Sequence, residues 1–148
     1  MIDKKVPRGI RNNNPLNIRK GNNWQGERHP QTDTAFEEFE SIEMGLRAGF
    51  KLLKKYITGD DGHRKPCDTI AKIISRWAPE VENATKKYID FVADEVGISP
   101  YQRVWFLDRK TMIKIVMAMA FVECGQRIPQ DACETAYDLV WLFSFIII

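Results

Sequence analysis

From residue 41 onward apolar side chains recur at three- and four-residue steps; before it they stand singly among asparagines, glycines and prolines. Ile42, Leu46, Phe50, Leu53 and Ile57 mark one face of an amphipathic helix. Ser41 is placed to accept its first free N–H groups, and Thr58-Gly-Asp-Asp-Gly62 ends it. Ile70, Ile73, Ile74 and Trp77 predict a short second helix capped by Asp68 and stopped near Pro79. Ala84, Tyr88, Phe91, Val92 and Val96 predict a third, from an Asn83 cap to Gly97. Met112, Val116, Met119 and Ala120 carry a fourth from Asp108 to Glu123, with Gly125 after it. The helix after Pro129 is apolar almost all round, which predicts burial.

The first forty residues have no such period. Short runs such as Leu16-Asn17-Ile18-Arg19 and Ala35-Phe36-Glu37-Glu38-Phe39 flank Lys20-Gly-Asn-Asn23, which reads as a tight turn. The expectation is a small β-hairpin or irregular three-stranded element, too polar to stand without the helices. The fold class is then mainly α with a small N-terminal β element. A single domain over residues 1–148 would comprise a β-rich lobe, 8–40, and a helical lobe, 41–148.

Composition narrows the function classes. At 44% hydrophobic and 28% charged residues, the chain has the make-up of a folded domain. A net charge of +2 is too small for a dedicated nucleic-acid binder, although residues 1–30 hold seven basic side chains against two acidic ones. Three cysteines, an odd number without a C-x-x-C pair, indicate reduced, partly buried thiols and not a disulfide framework or zinc site. His29 and His63 are isolated, and no phosphate-binding glycine loop is present, so neither metal nor cofactor is expected. No secretory apolar segment opens the chain, which predicts cytoplasmic synthesis without a signal peptide. The C-terminal run from Leu139 to Ile148 is about half of the ~20 residues a membrane span requires, so a buried helix is expected there.

Glu123 breaks the apolar pattern. It sits in the last turn of the fourth helix, in line with Met112, Val116 and Met119. Helix C-termini carry partial negative charge, and the apolar stripe removes water; both penalise an ionised carboxylate and raise its pKa. A carboxylic acid that keeps its proton is suited to protonating a leaving-group oxygen. The plain alternative is a glutamate whose head reaches solvent at a frayed helix end.

Resemblance adds to this. Val122-Glu123-Cys124-Gly125-Gln126, then Ile128-Pro129 and a helix, resembles the Glu-Ser-Gly segment of lysozyme-like lytic transglycosylases, with cysteine where serine is common. Glu82-Asn-Ala-Thr-Lys-Lys-Tyr88-Ile-Asp-Phe-Val92 resembles that superfamily's Glu-Thr-x-x-Tyr-Val helix, allowing one extra residue. Asn14-Pro-Leu-Asn-Ile-Arg19, Trp24-Gln-Gly26, Thr32-Asp33 and Phe36 through Ser41 resemble the hairpin of bacterial glucosaminidases. The whole resembles a phage and prophage family opening Arg-Gly-Ile-Arg-Asn-Asn-Asn-Pro, over roughly residues 8–128. In ordinary lysozyme-like enzymes the glutamate helix precedes the hairpin, and here it follows. A circularly permuted lysozyme-like α+β fold reconciles the order.

The resemblance implies Glu123 as the catalytic acid and Tyr88 as its support. It implies a sugar groove bordered by Asn12, Asn13, Asn14, Asn17 and Thr32, with Trp24 stacking on a sugar or packing beneath the lobe. Asn side chains offer both donor and acceptor to N-acetyl and hydroxyl groups, although several serve equally to cap backbone. A second carboxylate across the scissile bond would be Asp33 or Glu27, each otherwise an ordinary turn or surface residue. The implied activity is cleavage of peptidoglycan at the MurNAc-β-1,4-GlcNAc bond, as a muramidase or lytic transglycosylase. A non-catalytic peptidoglycan-binding or structural virion protein is the alternative. Peptidoglycan strands and other virion proteins are the expected partners, nucleic acid and a membrane span are not. The expected site of action is the bacterial cell wall, after virion packaging or phage-type release.

Overall fold

Each of the five apolar stripes forms a helix. The computed structural model describes residues 6–59, 65–79 and 82–146. In chain order the helices are α1 (Arg8–Arg11), α2 (Ile42–Thr58), α3 (Ile70–Trp77), α4 (Glu82–Val96), α5 (Arg109–Cys124) and α6 (Gln130–Ile146). Ser41 caps α2 by accepting from Met44 N at 3.3 Å, and Asp108 caps α5 by accepting from Thr111 N at 3.2 Å. The α3 cap is Thr69, not Asp68: the Thr69 hydroxyl accepts from Lys72 N, while Asp68 pairs with Arg103 at 2.8 Å. Helix α4 already includes Asn83, which is therefore not its cap.

Helix α5 runs through the middle, packed against α1, α2, α4 and α6. Met112, Ile113, Ile115, Val116, Ala118, Met119 and Ala120 are all buried, so nearly its whole circumference is core. Up to Leu142 the last helix is less enclosed than its composition suggests, and the rest of the apolar run expected to be buried, 143–148, lies outside the side chains described. Ala132, Cys133, Ala136, Tyr137 and Val140 face α2 and α5, but Gln130, Asp131, Thr135, Asp138 and Leu142 are exposed. Tyr137 packs edge-on against Phe50 of α2, and no helix among the described residues is long and apolar enough to cross a membrane. Cys124 and Cys133 are buried free thiols, and Cys67 is half-buried.

The front of the chain departs from expectation. Among the described residues there is no β-strand and no sheet, only isolated bridges between Arg19 and Phe36, Glu27 and Phe39, and Thr69 and Arg103. The expected hairpin or three-stranded element is absent. The lysozyme-like α+β class, its circular permutation and the β-rich character of residues 8–40 fall with it. The physical reason lies in the same asparagines that suggested turns. Asn13 and Asn17 both take φ near 52°, which interrupts an extended run. Side chains then occupy the backbone groups that a ladder would pair. The Asn14 amide donates to Ile18 O and Glu37 O at 2.9 and 3.0 Å, and its oxygen accepts from Ile18 N at 2.9 Å. Asp33 accepts from Ala35 N and Phe36 N, and Glu38 from Thr32 N and Asp33 N.

This lobe lies directly on α2. A Cβ at Gly45 would overlap the Asn13 carbonyl oxygen, and one at Gly49 would overlap the Leu16 side chain. Two glycines one helical turn apart thus do different work: Gly45 lets loop backbone touch helix backbone, and Gly49 makes room for the Leu16 side chain, which is fully buried.

Asn14 is fully buried, so its loss strands three backbone groups. Each unsatisfied buried group costs about 1–3 kcal/mol. Asn14→Ala is expected to lower unfolding free energy by about 2–4 kcal/mol in urea titrations. Exposed Asn23→Ala should stay within about 0.5 kcal/mol of wild type.

Candidate active site

The C-terminus of α5 and the asparagine lobe meet at Glu123. Gly125 ends the helix at φ 75°, with its N–H bonded to Phe121 O at 2.9 Å. The last turn leaves carbonyls unpaired, and the front lobe supplies a donor. Asn17 Nδ2 donates to the Glu123 carbonyl oxygen at 3.0 Å and leans on the carboxyl Oε1 at 3.5 Å. These residues are 106 positions apart in sequence. Tyr88, buried on α4, presents its hydroxyl to the same carboxyl and to Met119 O at 3.5 Å.

Burial pushes the Glu123 carboxyl above its ordinary 4.5, and hydrogen bonds from Tyr88 and Asn17 offset part of the rise. Burial, then the nearby Glu123, pushes the Tyr88 phenol upward, so it keeps its proton and can only donate to the carboxyl.

A cavity of about 520 Å³ opens beside this group. Asn17, Arg19, Asn22 and Phe36 of the front lobe form one wall, and Tyr88 and Glu123 sit together on α4 and α5. Leu52 and Tyr56 of α2, with Trp77 and Pro79 at the end of α3, form an aromatic side. Trp77 meets Tyr56 edge-on, ring centroids 5.9 Å apart, and Arg76 lies 4.0 Å over Tyr56. Such a lining offers flat apolar faces beside hydrogen-bonding amides, with one desolvated carboxylic acid among them. It can seat a ring that has apolar faces and polar edges, and hand it a proton.

Of the residues singled out in the sequence, Asn17, Tyr88 and Glu123 come together here. The others serve the lobe. Asn12 donates to Asp33 Oδ2 at 2.9 Å, Asn13 donates to Phe39 O at 3.0 Å, and Asn14 is fully buried. Trp24 packs against the core and is not part of the groove lining. The Thr32 hydroxyl donates to Glu38 Oε1 at 2.6 Å, beside a separate recess bordered also by Arg8, Arg11 and Asp33.

Neither candidate for a second carboxylate reaches the groove. Asp33 is clamped by Arg8 through two bonds of 2.6 Å, and that pairing, helped by the Ala35, Phe36 and Asn12 N–H groups, holds its carboxyl well below the usual range. Glu27 accepts from Trp24 N at 2.9 Å and shares a hydrogen bond with Glu37. Burial and that neighbour push the Glu37 carboxyl up to about 7. Among the described residues Glu123 is the sole acidic side chain lining the groove, and no three His, Cys, Asp or Glu side chains cluster to hold a metal.

No family model matches the chain. Protein P5 of Pseudoalteromonas phage PM2 is 41% identical to it over 140 residues, covering 92% of this chain and 82% of the phage protein. The chain belongs to the family of this phage protein. The phage kinship expected from the opening motif is therefore established. A match covering 92% of a P5-family chain of this length takes in both Asn17 and Glu123, wherever its ends fall.

Sequence patterns gave no sign of Asn22 or Tyr56 as groove residues, Arg19 and Phe36 stood only within the stretches that resemble a glucosaminidase hairpin, and Trp77 reads from its spacing as core. The trace that could have marked Trp77 is its place beside Ala78-Pro79, where a helix stops and an aromatic ring is left at the edge.

A raised folded-state pKa sets a sign. The Glu123 contribution to stability is full below the unfolded value and is lost as pH rises through the raised folded value. Carboxyl-carbon NMR titration should place the Glu123 midpoint above 4.5, and Tyr88→Phe, which removes a donor to the ionised form, should move it higher. Over the same interval wild type should lose stability relative to Glu123→Gln; a midpoint at or below 4.5 contradicts the assignment.

Proposed function

We propose that this chain cleaves the glycan strands of peptidoglycan at the bond from N-acetylmuramic acid to N-acetylglucosamine, with Glu123 as acid and then base. One observation carries the reading: a desolvated carboxylic acid at a helix C-terminus opens onto a groove with amide and aromatic walls. The resemblance of residues 122–126 and 82–92 to lysozyme-like lytic transglycosylases supports the same assignment from the sequence side.

Protonated Glu123 donates to the glycosidic oxygen, the bond to the anomeric carbon breaks, and positive charge develops on the sugar. The carboxylate left behind is held by the Tyr88 hydroxyl and the Asn17 amide, donors that strengthen as it ionises. It then accepts a proton from the incoming nucleophile. With no other described carboxylate in the groove to position a water or form a covalent intermediate, the sugar's own C6 hydroxyl is the nucleophile that fits. That closes a 1,6-anhydro ring, the reaction of a lytic transglycosylase. Trp77 and Tyr56 supply faces for the flanking sugars. In this reading the protein acts at the bacterial cell wall, delivered by virion packaging or phage-type release, with other virion proteins as further partners.

Wild type incubated with purified cell walls should release muropeptides ending in anhydromuramic acid, identified by mass spectrometry. Glu123→Gln should lower the rate by roughly 10²–10⁴-fold. Activity should fall as pH rises through the raised Glu123 value, because the acid form is consumed. Reducing ends would make the reaction a hydrolysis. Equal activity of the two proteins would overturn the role of Glu123, and no release by wild type would leave a binding or structural virion role.

A further inference from the structure

The groove holds one cationic group whose partner is not supplied by the described residues. Arg19 lines the same cavity as Glu123, and its side chain is exposed. Its guanidinium lies 4.8 Å from the centroid of the Phe36 ring, another groove residue. Arg8 covers the same ring at 4.5 Å, but its Nε–Nη2 edge is taken by Asp33. Arg19 makes no ion pair to any acidic side chain among the described residues. We infer that Arg19 receives a carboxylate of the bound glycan, making the groove selective for acidic glycans over neutral N-acetylated ones. This inference rests on the glycan-cleaving reading above and deepens it.

Three features prepare the arginine for that task. Its backbone is fixed on both sides by the bridge to Phe36, in which Lys20 N donates to Ala35 O and Glu37 N to Ile18 O, each at 3.0 Å. Ile18 is buried in the core between Asn17 and Arg19, so the two groove-lining residues flank an anchored one. The stack on Phe36 holds the guanidinium plane while leaving its N–H edge for hydrogen bonds. A planar donor already held in place loses little freedom when a carboxylate engages two of its N–H groups. Neutral chitin-like strands offer no such group. Alternating N-acetylmuramic acid strands offer two kinds: the lactyl carboxylate of bare sugars, and the carboxylates of stem peptides attached through that lactyl group.

The test uses Glu123→Gln protein, which retains the groove but lacks the acid, and calorimetric binding of three oligosaccharides of equal length. One is a chitin oligomer, one a peptide-free N-acetylglucosamine/N-acetylmuramic acid oligomer, and one the peptide-bearing form. Adding Arg19→Gln should weaken binding of acidic oligomers by roughly ten- to a hundredfold, as for a lost hydrogen-bonded charge, and leave chitin binding unchanged. Arg19→Lys should restore part of the loss, since a point charge replaces a fork. Loss on the peptide-free oligomer identifies the lactyl carboxylate as partner, whereas loss confined to the peptide-bearing form identifies the stem. Equal loss on all three, no loss on any, or no binding of acidic oligomers overturns the inference. Wall digestion separates this from the parent reading. If Glu123→Gln abolishes digestion while Arg19→Gln treats neutral and acidic oligomers alike, only the role of Arg19 fails.

Discussion

A lobe without a sheet must satisfy its backbone by other means, and the side-chain amide of Asn14 is the bond on which this one turns. It reaches Ile18 nearby and Glu37, 23 residues away, from a position sealed from solvent. By joining the two halves of the front segment it gives Asn17 and Arg19 a fixed platform and sets Phe36 opposite them. Asp33 and Glu38 extend the same solution, each ionised side chain doing for several N–H groups what a neighbouring strand would do. Polar residues inside such a network are costly to leave half-paired, which makes the lobe specific in shape despite its lack of regular structure.

The groove is the product of that platform meeting the end of α5. An acid at the wrong end of a helix is disfavoured, yet the same location leaves carbonyls in need of a donor. Asn17 answers the second problem and thereby stands beside the first. Tyr88 arrives from α4 with a phenol that burial keeps protonated. The opposing influences are visible in the carboxyl itself: loss of water raises its affinity for a proton, and two donors restrain the rise. A group so balanced can give up a proton and then be stabilised without it.

The helices were legible because their evidence is local: a stripe, a cap and a stop lie within twenty residues of each other. Glu123 was legible for the same reason, as a charge in an apolar row at a helix end. The front lobe was not. Its bonds link Arg8 to Asp33 and Asn14 to Glu37, and local β-like runs give no hint that asparagine and acid side chains have replaced the ladder. Asp33 shows the cost of reading a motif without its neighbours, because an acid that matched a substrate-groove pattern is an arginine clamp. The aromatic wall failed to appear for a related reason. Tyr56 and Trp77 lie on different helices, and only packing brings their rings to one side of a cleft.

The glycine seam on α2 has a mechanical corollary. Where main chain rests on main chain at Gly45, no layer of side chains remains that could repack to let the surfaces slide, and at Gly49 only the Leu16 side chain lies between. Any widening would open voids in a close-packed joint, which interiors resist. The cleft therefore behaves as a fixed gauge, not a jaw, and under the proposed function a glycan strand lying in it must bend to the protein's dimensions.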